Sequence, residues 1–312
     1  MSATMDCATL FKQDAQTSEA VIAQLLGQDA FEALSARESA ETAARDRADD
    51  EKLQAGVDLA VAKGVLPAGL VPAPYQAIAV EGKNTDAITA EIMGALPEGK
   101  GSVLVLVGLS GTGKGTTVAR LAQLLPRAVT WSNGNVFRSL TLLAVKWCEA
   151  RGLAGFDADA ALTPANLADF MAMLHFGRHG GGGFDIRVQG LGVDALVADI
   201  ANTELKAPAV SRNIPTVANV TQGEVVGFVT KATAMMSAAG HNVIIEGREA
   251  TVNHIPTPYR FALTLKDPAV IGRRRAAQRV MAAVAKAVAG GAAAAAPAEL
   301  EEALRAAAKG ML

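Results

Sequence analysis

From about residue 100 onward, apolar positions alternate between short continuous runs and helical stripes. Val103 to Val107 is a continuous apolar run, as expected for a strand buried on both faces. Beyond Lys114, Val118, Leu121, Ala122 and Leu125 recur at helical spacing and predict a helix. AVTW predicts a second strand. NVFRSLTLLAVKWCEARG predicts a helix with Val136, Leu140, Leu143 and Trp147 on one stripe. Thr163-Pro164 starts another helix, because proline suits a first turn. RHGGGG reads as a loop and FDIRVQ as a strand. Thr221 and Glu224 have the spacing of a capping box, which predicts a helix start there. HNVIIEG and RFALTL predict two more core strands. Asp267-Pro268 caps a helix bearing Arg273, Arg274, Arg275 and Arg279. Gly290-Gly291 breaks the alanine-rich tail, and Pro297 starts a last helix. No internal repeat is visible. Strand alternating with helix predicts an α/β fold with a parallel sheet and helices on both faces.

The first 70 residues follow a different pattern. They are rich in Ala, Glu, Lys and Arg, all good helix formers. The charged run from Ala36 to Lys52 has few large apolar residues with which to bury a face. Residues 1–70 are therefore expected to be helical, poorly packed on the core, and suited to docking a protein partner. VLPAGLVPAP breaks the helical pattern, and YQAIAVEG predicts a short strand. NTDAITAEIMGALPEGKG predicts a capped helix ended by Pro97 and Gly99. The expected division is a mainly helical extension over 1–99 and an α/β domain over 100–312.

Composition narrows the function classes. Half of the 312 residues are apolar, enough for a sizeable core, and the net charge is -2. No global field favours nucleic acid or an anionic membrane. No apolar run approaches the roughly 18 residues of a membrane span. The stretch MSATMDCATLFKQDAQ resembles neither a secretory signal nor a transit peptide, so a cytoplasmic setting is expected. Cys7 and Cys148 are too few for a disulfide framework and are expected to be inert.

The chemistry concentrates in GLSGTGKGT, residues 108–116, placed between the apolar strand and the amphipathic helix. Gly108, Gly111, Gly113 and Gly115 let the backbone wrap an anion, so that amides at Ser110, Thr112 and their neighbours point inward. The helix beginning near Lys114 adds its positive end. Lys114 is expected to neutralise the outer phosphates of ATP, and Thr116, or Thr117, to hold Mg2+.

The G-K-G-T spacing resembles that of the nucleoside monophosphate kinases, and the likeness extends beyond the loop. SNGNVFRSLT, 132–141, is similar to the D-[ST]-G-x-x-Y-R-x-x-T segment of cytidylate kinases, with Gly134, Arg138 and Thr141 matching and Phe137 as the aromatic. VIIEGRE, 243–249, resembles that family's E-G-R-D strand end. RFALTLKDPAVIGRRRAAQR, 260–279, is similar to its strand and arginine-bearing lid. The resemblance implies a P-loop kinase fold and transfer of a phosphoryl group from Mg-ATP to a nucleoside monophosphate such as CMP. It implies that Arg138 and Arg248 grip the acceptor phosphate, and that Arg274 and Arg275, with Arg273 and Arg279, serve the lid.

The departures lie on the acceptor side. Asn133 replaces the family's Ser or Thr, Glu249 its Asp, and Ala218 an acceptor-helix arginine. The R-D-x-x-D-x-x-R segment and the last core strand have no counterpart. Two expectations therefore stand together: an active kinase with altered acceptor choice, or a degenerate kinase fold kept as a nucleotide-binding structural or interaction subunit. A third, adenylyl-sulfate kinase, shares G-L-S-G but neither the loop's ending nor the E-G-R-E strand end.

Overall fold

The computed structural model describes residues 15–97, 99–180, 182–267, 269–289 and 297–312. Cys7, Pro268 and Gly290-Gly291 lie outside the described residues. The first described elements are the helices α1 (Ala15–Leu25) and α2 (Asp29–Ala62), followed by β1 (Gln76–Ala79) and α3 (Thr85–Gly94). Next come β2 (Val103–Gly108), α4 (Lys114–Leu124), β3 (Ala128–Trp131) and α5 (Asn133–Ala150). An excursion holds α6 (Ala158–Ala161), α7 (Pro164–Ala172), β4 (Leu174–His179), β5 (Gly183–Gly190), β6 (Val193–Leu196), α8 (Val197–Ile200) and α9 (Pro208–Ser211). The long α10 (Ile214–Ala238) leads to β7 (Asn242–Glu246), α11 (Glu249–Val252) and β8 (Tyr259–Thr264). The last described helices are α12 (Ala269–Ala289) and α13 (Pro297–Gly310).

Five strands form one parallel sheet in the order β1-β8-β2-β7-β3. Strand side chains alternate between faces, and the packing follows that period. Val105, Val107, Val243 and Ile245 pack on one face with α5 and α10. Leu104, Leu106 and Ile244 pack on the other with α3 and α4. The α/β architecture is therefore as expected. Because all five strands run the same way, the turns after Gly108, Trp131, Glu246 and Thr264 gather at one edge, where ligands of such sheets bind.

Three expectations need correcting. First, the division near residue 100 does not separate two packing units. β1 hydrogen-bonds along β8, Gln76 opposite Phe261 through Ala79 opposite Thr264, so the extension supplies an edge of the sheet. Among the described residues no strand follows α12, and β1 is the strand that lines this side of β8. Arg260, 1% exposed, locks the join. Its guanidinium donates to the carbonyls of Val252 and Ile255, the Tyr75 hydroxyl and Asn253 Oδ1. Second, Thr221 starts no helix. It lies inside α10, and its hydroxyl donates to the Val217 carbonyl one turn back.

Third, α2 is firmly packed. Its buried residues Phe31, Leu34, Ser35, Glu38, Thr42 and Asp46 repeat at three or four, which puts them on one face. Phe31 and Leu34 join Val280, Met281 and Val284 of α12 in a second core, completed by α1 and α13. Further along, Gly56 and Ala60 meet Gln222 and Gly223 of α10. The buried face uses small and paired polar side chains, which is why counting large apolar residues misses it.

Candidate functional site

The glycine-rich loop joins β2 to α4 with backbone that only glycine adopts without strain. Gly111 and Gly113 have φ of 89° and 87°. The first backbone bond of α4 runs from the Thr117 amide to the Gly113 carbonyl. The amides of Lys114, Gly115 and Thr116 precede it and are open donors, as at any helix start. Thr112 and Thr117 are buried. The Thr112 hydroxyl donates to the Leu109 carbonyl and stiffens the loop. Gly111, Gly113, Gly115 and Thr116 face solvent. Of the two threonines expected to hold a metal, Thr116 is therefore the exposed one.

Lys114 turns back over the loop, donating from Nζ to the carbonyls of Gly108 at 2.6 Å and Leu109 at 3.0 Å. Burial lowers its pKa, and the nearby Glu246 carboxylate opposes that shift. Glu246 ends β7 in the strand beside β2. Its Oε2 lies 4.0 Å from where a Cβ on Gly115 would stand. This residue was not among the sequence candidates. Its signal was an apolar strand ending in an acid beside the loop strand, the arrangement that holds Mg2+ in nucleotide-binding loops.

Arg248 follows β7, and its partner comes from the N-terminal extension. Nη2 donates to Asp46 Oδ1 at 2.7 Å, and Asp50 and Asp49 stand 3.6 and 3.8 Å from the guanidinium. Burial works against the Arg248 charge, but the bond to Asp46 and the other two carboxylates hold its pKa above the ordinary value. Asp46 also accepts from the Ser110 amide at 2.9 Å and the Ser110 hydroxyl at 2.6 Å. Burial alone would raise its pKa. The hydrogen bonds from Arg248 and Ser110 prevail and lower it from 3.8 to about 2. Beside Arg248, a cavity of about 680 Å³ opens between α2 and the ends of β2, β7 and β8.

A carboxylate with a depressed pKa adds stability that is present above its unfolded value and lost as pH falls toward the folded one. The window here runs from pH 3.8 down to about 2. Asp46→Asn is expected to remove about 2 kcal/mol of this acid-labile stability. Denaturant unfolding of both proteins between pH 7 and pH 2 measures it. A constant gap between the two curves across the window would refute the assignment.

The other sequence candidates divide into free and committed side chains. Arg138, on α5, is half-buried and has no hydrogen bond or ion pair with the described residues. Its Nη1 lies 2.8 Å from where a Cβ on Gly134 would stand, so glycine leaves it room. Asn133 accepts from the Trp131 indole at 3.0 Å. Glu249 is exposed at the cavity and Ala218 lies within α10. Of the four arginines expected to serve a lid, three are engaged with the N-terminal helices: Arg273 with Glu32, Arg274 with Glu19, Arg279 with Glu38. Arg275 has no carboxylate partner among the described residues, and its Nε is buried without an acceptor. It sits one turn beyond Ile271, whose side chain packs against Gly111 of the loop. Arg274 is thus tied away from the loop, while Arg275 shares the helix face that meets it.

Cys148 is buried in the core, in keeping with an inert thiol. Among the described residues no helix is long and apolar enough to cross a membrane, and no group of three or more His, Cys, Asp or Glu is placed to hold a metal ion. Neither a known protein family nor a curated protein matches the chain.

Proposed function

We propose that the chain is a P-loop phosphotransferase of the nucleoside monophosphate kinase type. It moves the terminal phosphoryl group of ATP to the phosphate of a nucleoside monophosphate such as CMP. The supporting observation is convergence at one sheet edge. The glycine-rich loop with its open amides, Lys114, Glu246 and Arg248 come from two neighbouring parallel strands. An acceptor phosphate oxygen forms the new P–O bond as the bond between the β- and γ-phosphates breaks, leaving ADP. Such transfer depends on positioning and positive charge more than on a covalent residue. Lys114 and Arg275 serve the ATP side, while Arg138 and Arg248 serve the acceptor. Mg2+ prefers oxygen ligands, keeps several waters and draws others from phosphates. The exposed Thr116 hydroxyl and the Glu246 carboxylate fit that need, and the ion would neutralise charge on the polyphosphate.

One observation favours a second reading, a degenerate kinase kept for nucleotide binding. Three of the four lid arginines are committed to carboxylates of α1 and α2. Coupled ADP release with Mg-ATP decides between the two, using CMP, UMP, AMP, dCMP and adenylyl sulfate as acceptors. Turnover within the common enzyme range of about 1–1,000 per second on one monophosphate supports the kinase. ATP binding without turnover supports the degenerate form, and turnover on adenylyl sulfate alone overturns both.

A further inference from the structure

Asp46 occupies a position unlike any other acid among the described residues. It is 4% exposed in the middle of a 34-residue helix. One oxygen accepts from a loop amide, and the other from a loop hydroxyl and a guanidinium. Those are the three donor types by which proteins hold phosphate. The helix is anchored on both sides of this point. Before it, Gly272 of α12 lies against the Ser35 backbone. After it, Gly56 and Ala60 lie against α10. The middle of α2 therefore crosses the rim of the loop while its flanks are fastened.

On the phosphate-binding reading above, we infer that Asp46 is an intrachain stand-in for the terminal phosphate, and that α2 is a strap holding the loop and Arg248 closed until nucleoside triphosphate displaces it. The open amides at the start of α4 are untouched by the strap and remain free for the inner phosphates. A terminal phosphate and an acceptor phosphate both compete with Asp46 for Ser110 and Arg248. Two anions do not share donors at this range without one losing its charge or leaving. The strapped chain accordingly holds ADP well, takes ATP at a penalty, and transfers only when the middle of α2 lifts.

Calorimetry of the full chain and of Asp46→Asn, titrated with Mg-ATP and Mg-ADP, tests this. Asparagine keeps the shape and removes the charge. ATP affinity is expected to rise about tenfold or more, the equivalent of one relieved like-charge contact, and ADP affinity by less than about threefold. Nucleotide binding in both proteins with equal ATP affinity would overturn the strap and leave the phosphate reading intact. No nucleotide binding in either would overturn both. Hydrogen exchange on the unmodified protein gives a check that needs no variant. ATP is expected to speed exchange in the helical turns around Asp46, and ADP is not. Unchanged exchange there with ATP bound would count against the strap.

Discussion

On the proposed kinase reading, Lys114→Ala is expected to bind ATP at least about tenfold more weakly than the parent, and its phosphoryl transfer is expected to fall by about a hundredfold or more. The two magnitudes differ because they measure different states. A hydrogen bond to a charged group contributes roughly 1.5–3 kcal/mol, which sets the loss in binding. In the transition state, charge builds on the oxygens around the moving phosphorus. Loss of one preorganised donor there typically costs about 10²–10³ in rate. Lys114 is already half-buried and fixed by the carbonyls of Gly108 and Leu109, so on that reading it would meet a phosphate without being ordered from solution. Lys114→Arg is not expected to restore the rate, because a planar guanidinium does not fit where a compact ammonium sits between two carbonyls. Calorimetry and coupled ADP release measure both effects. A melting temperature near the parent's would show that the loss is local. Parent-like ATP affinity in Lys114→Ala would remove the loop from the account altogether.

The sheet and the loop were legible in the sequence for a physical reason. A strand buried on both faces must be apolar throughout, so Val103–Val107 and VIIE stand out. A turn with positive φ at two places must carry glycine, so the loop stands out too. What escaped notice was set by partners distant in sequence. The buried face of α2 contains Ser35, Glu38, Thr42 and Asp46, which look like a solvated face until Arg279, Ser110 and Arg248 are known to meet it. The α12 arginines read as a phosphate-binding row because nothing local reveals that Glu19, Glu32 and Glu38 pair with three of them. The antiparallel sheet of β4, β5 and β6 was read only at β5. Its outer strands, LHFGRH and VDAL, carry no continuous apolar run. Phe176 finds its burial across space, stacked on Phe184 at 5.5 Å and edge-on to Trp131 at 5.6 Å. Burial of polar groups through long-range pairing is invisible to a periodicity argument, and the site depends on such pairings.

Phe31→Ala lowers the melting temperature by about ten degrees, and removal of residues 1–63 lowers it further. Phe31 is fully buried between α2 and the last helices, among Val280, Met281, Val284, Leu300 and Leu304. Truncating a buried phenylalanine typically costs about 3–5 kcal/mol, and in a chain of this size each kcal/mol shifts melting by about 2–4 °C. Deletion also removes Val21, Leu25 and Leu34, each adding about 1.5–3 kcal/mol of burial. It leaves Arg274 and Arg279 without their carboxylates and Arg273 with Asp267 alone. The variants separate two pictures of the extension. A docking arm that merely rests on the surface could be cut away, or lose Phe31, at almost no cost to the core. A strap whose flanks form part of the core cannot, and only an extension fastened in that way can press Asp46 into the loop against competing phosphate. Calorimetric melting of the Phe31→Ala protein decides the matter, and a midpoint within two degrees of the parent's would show that the N-terminal helices are ornaments of the fold and not members of it.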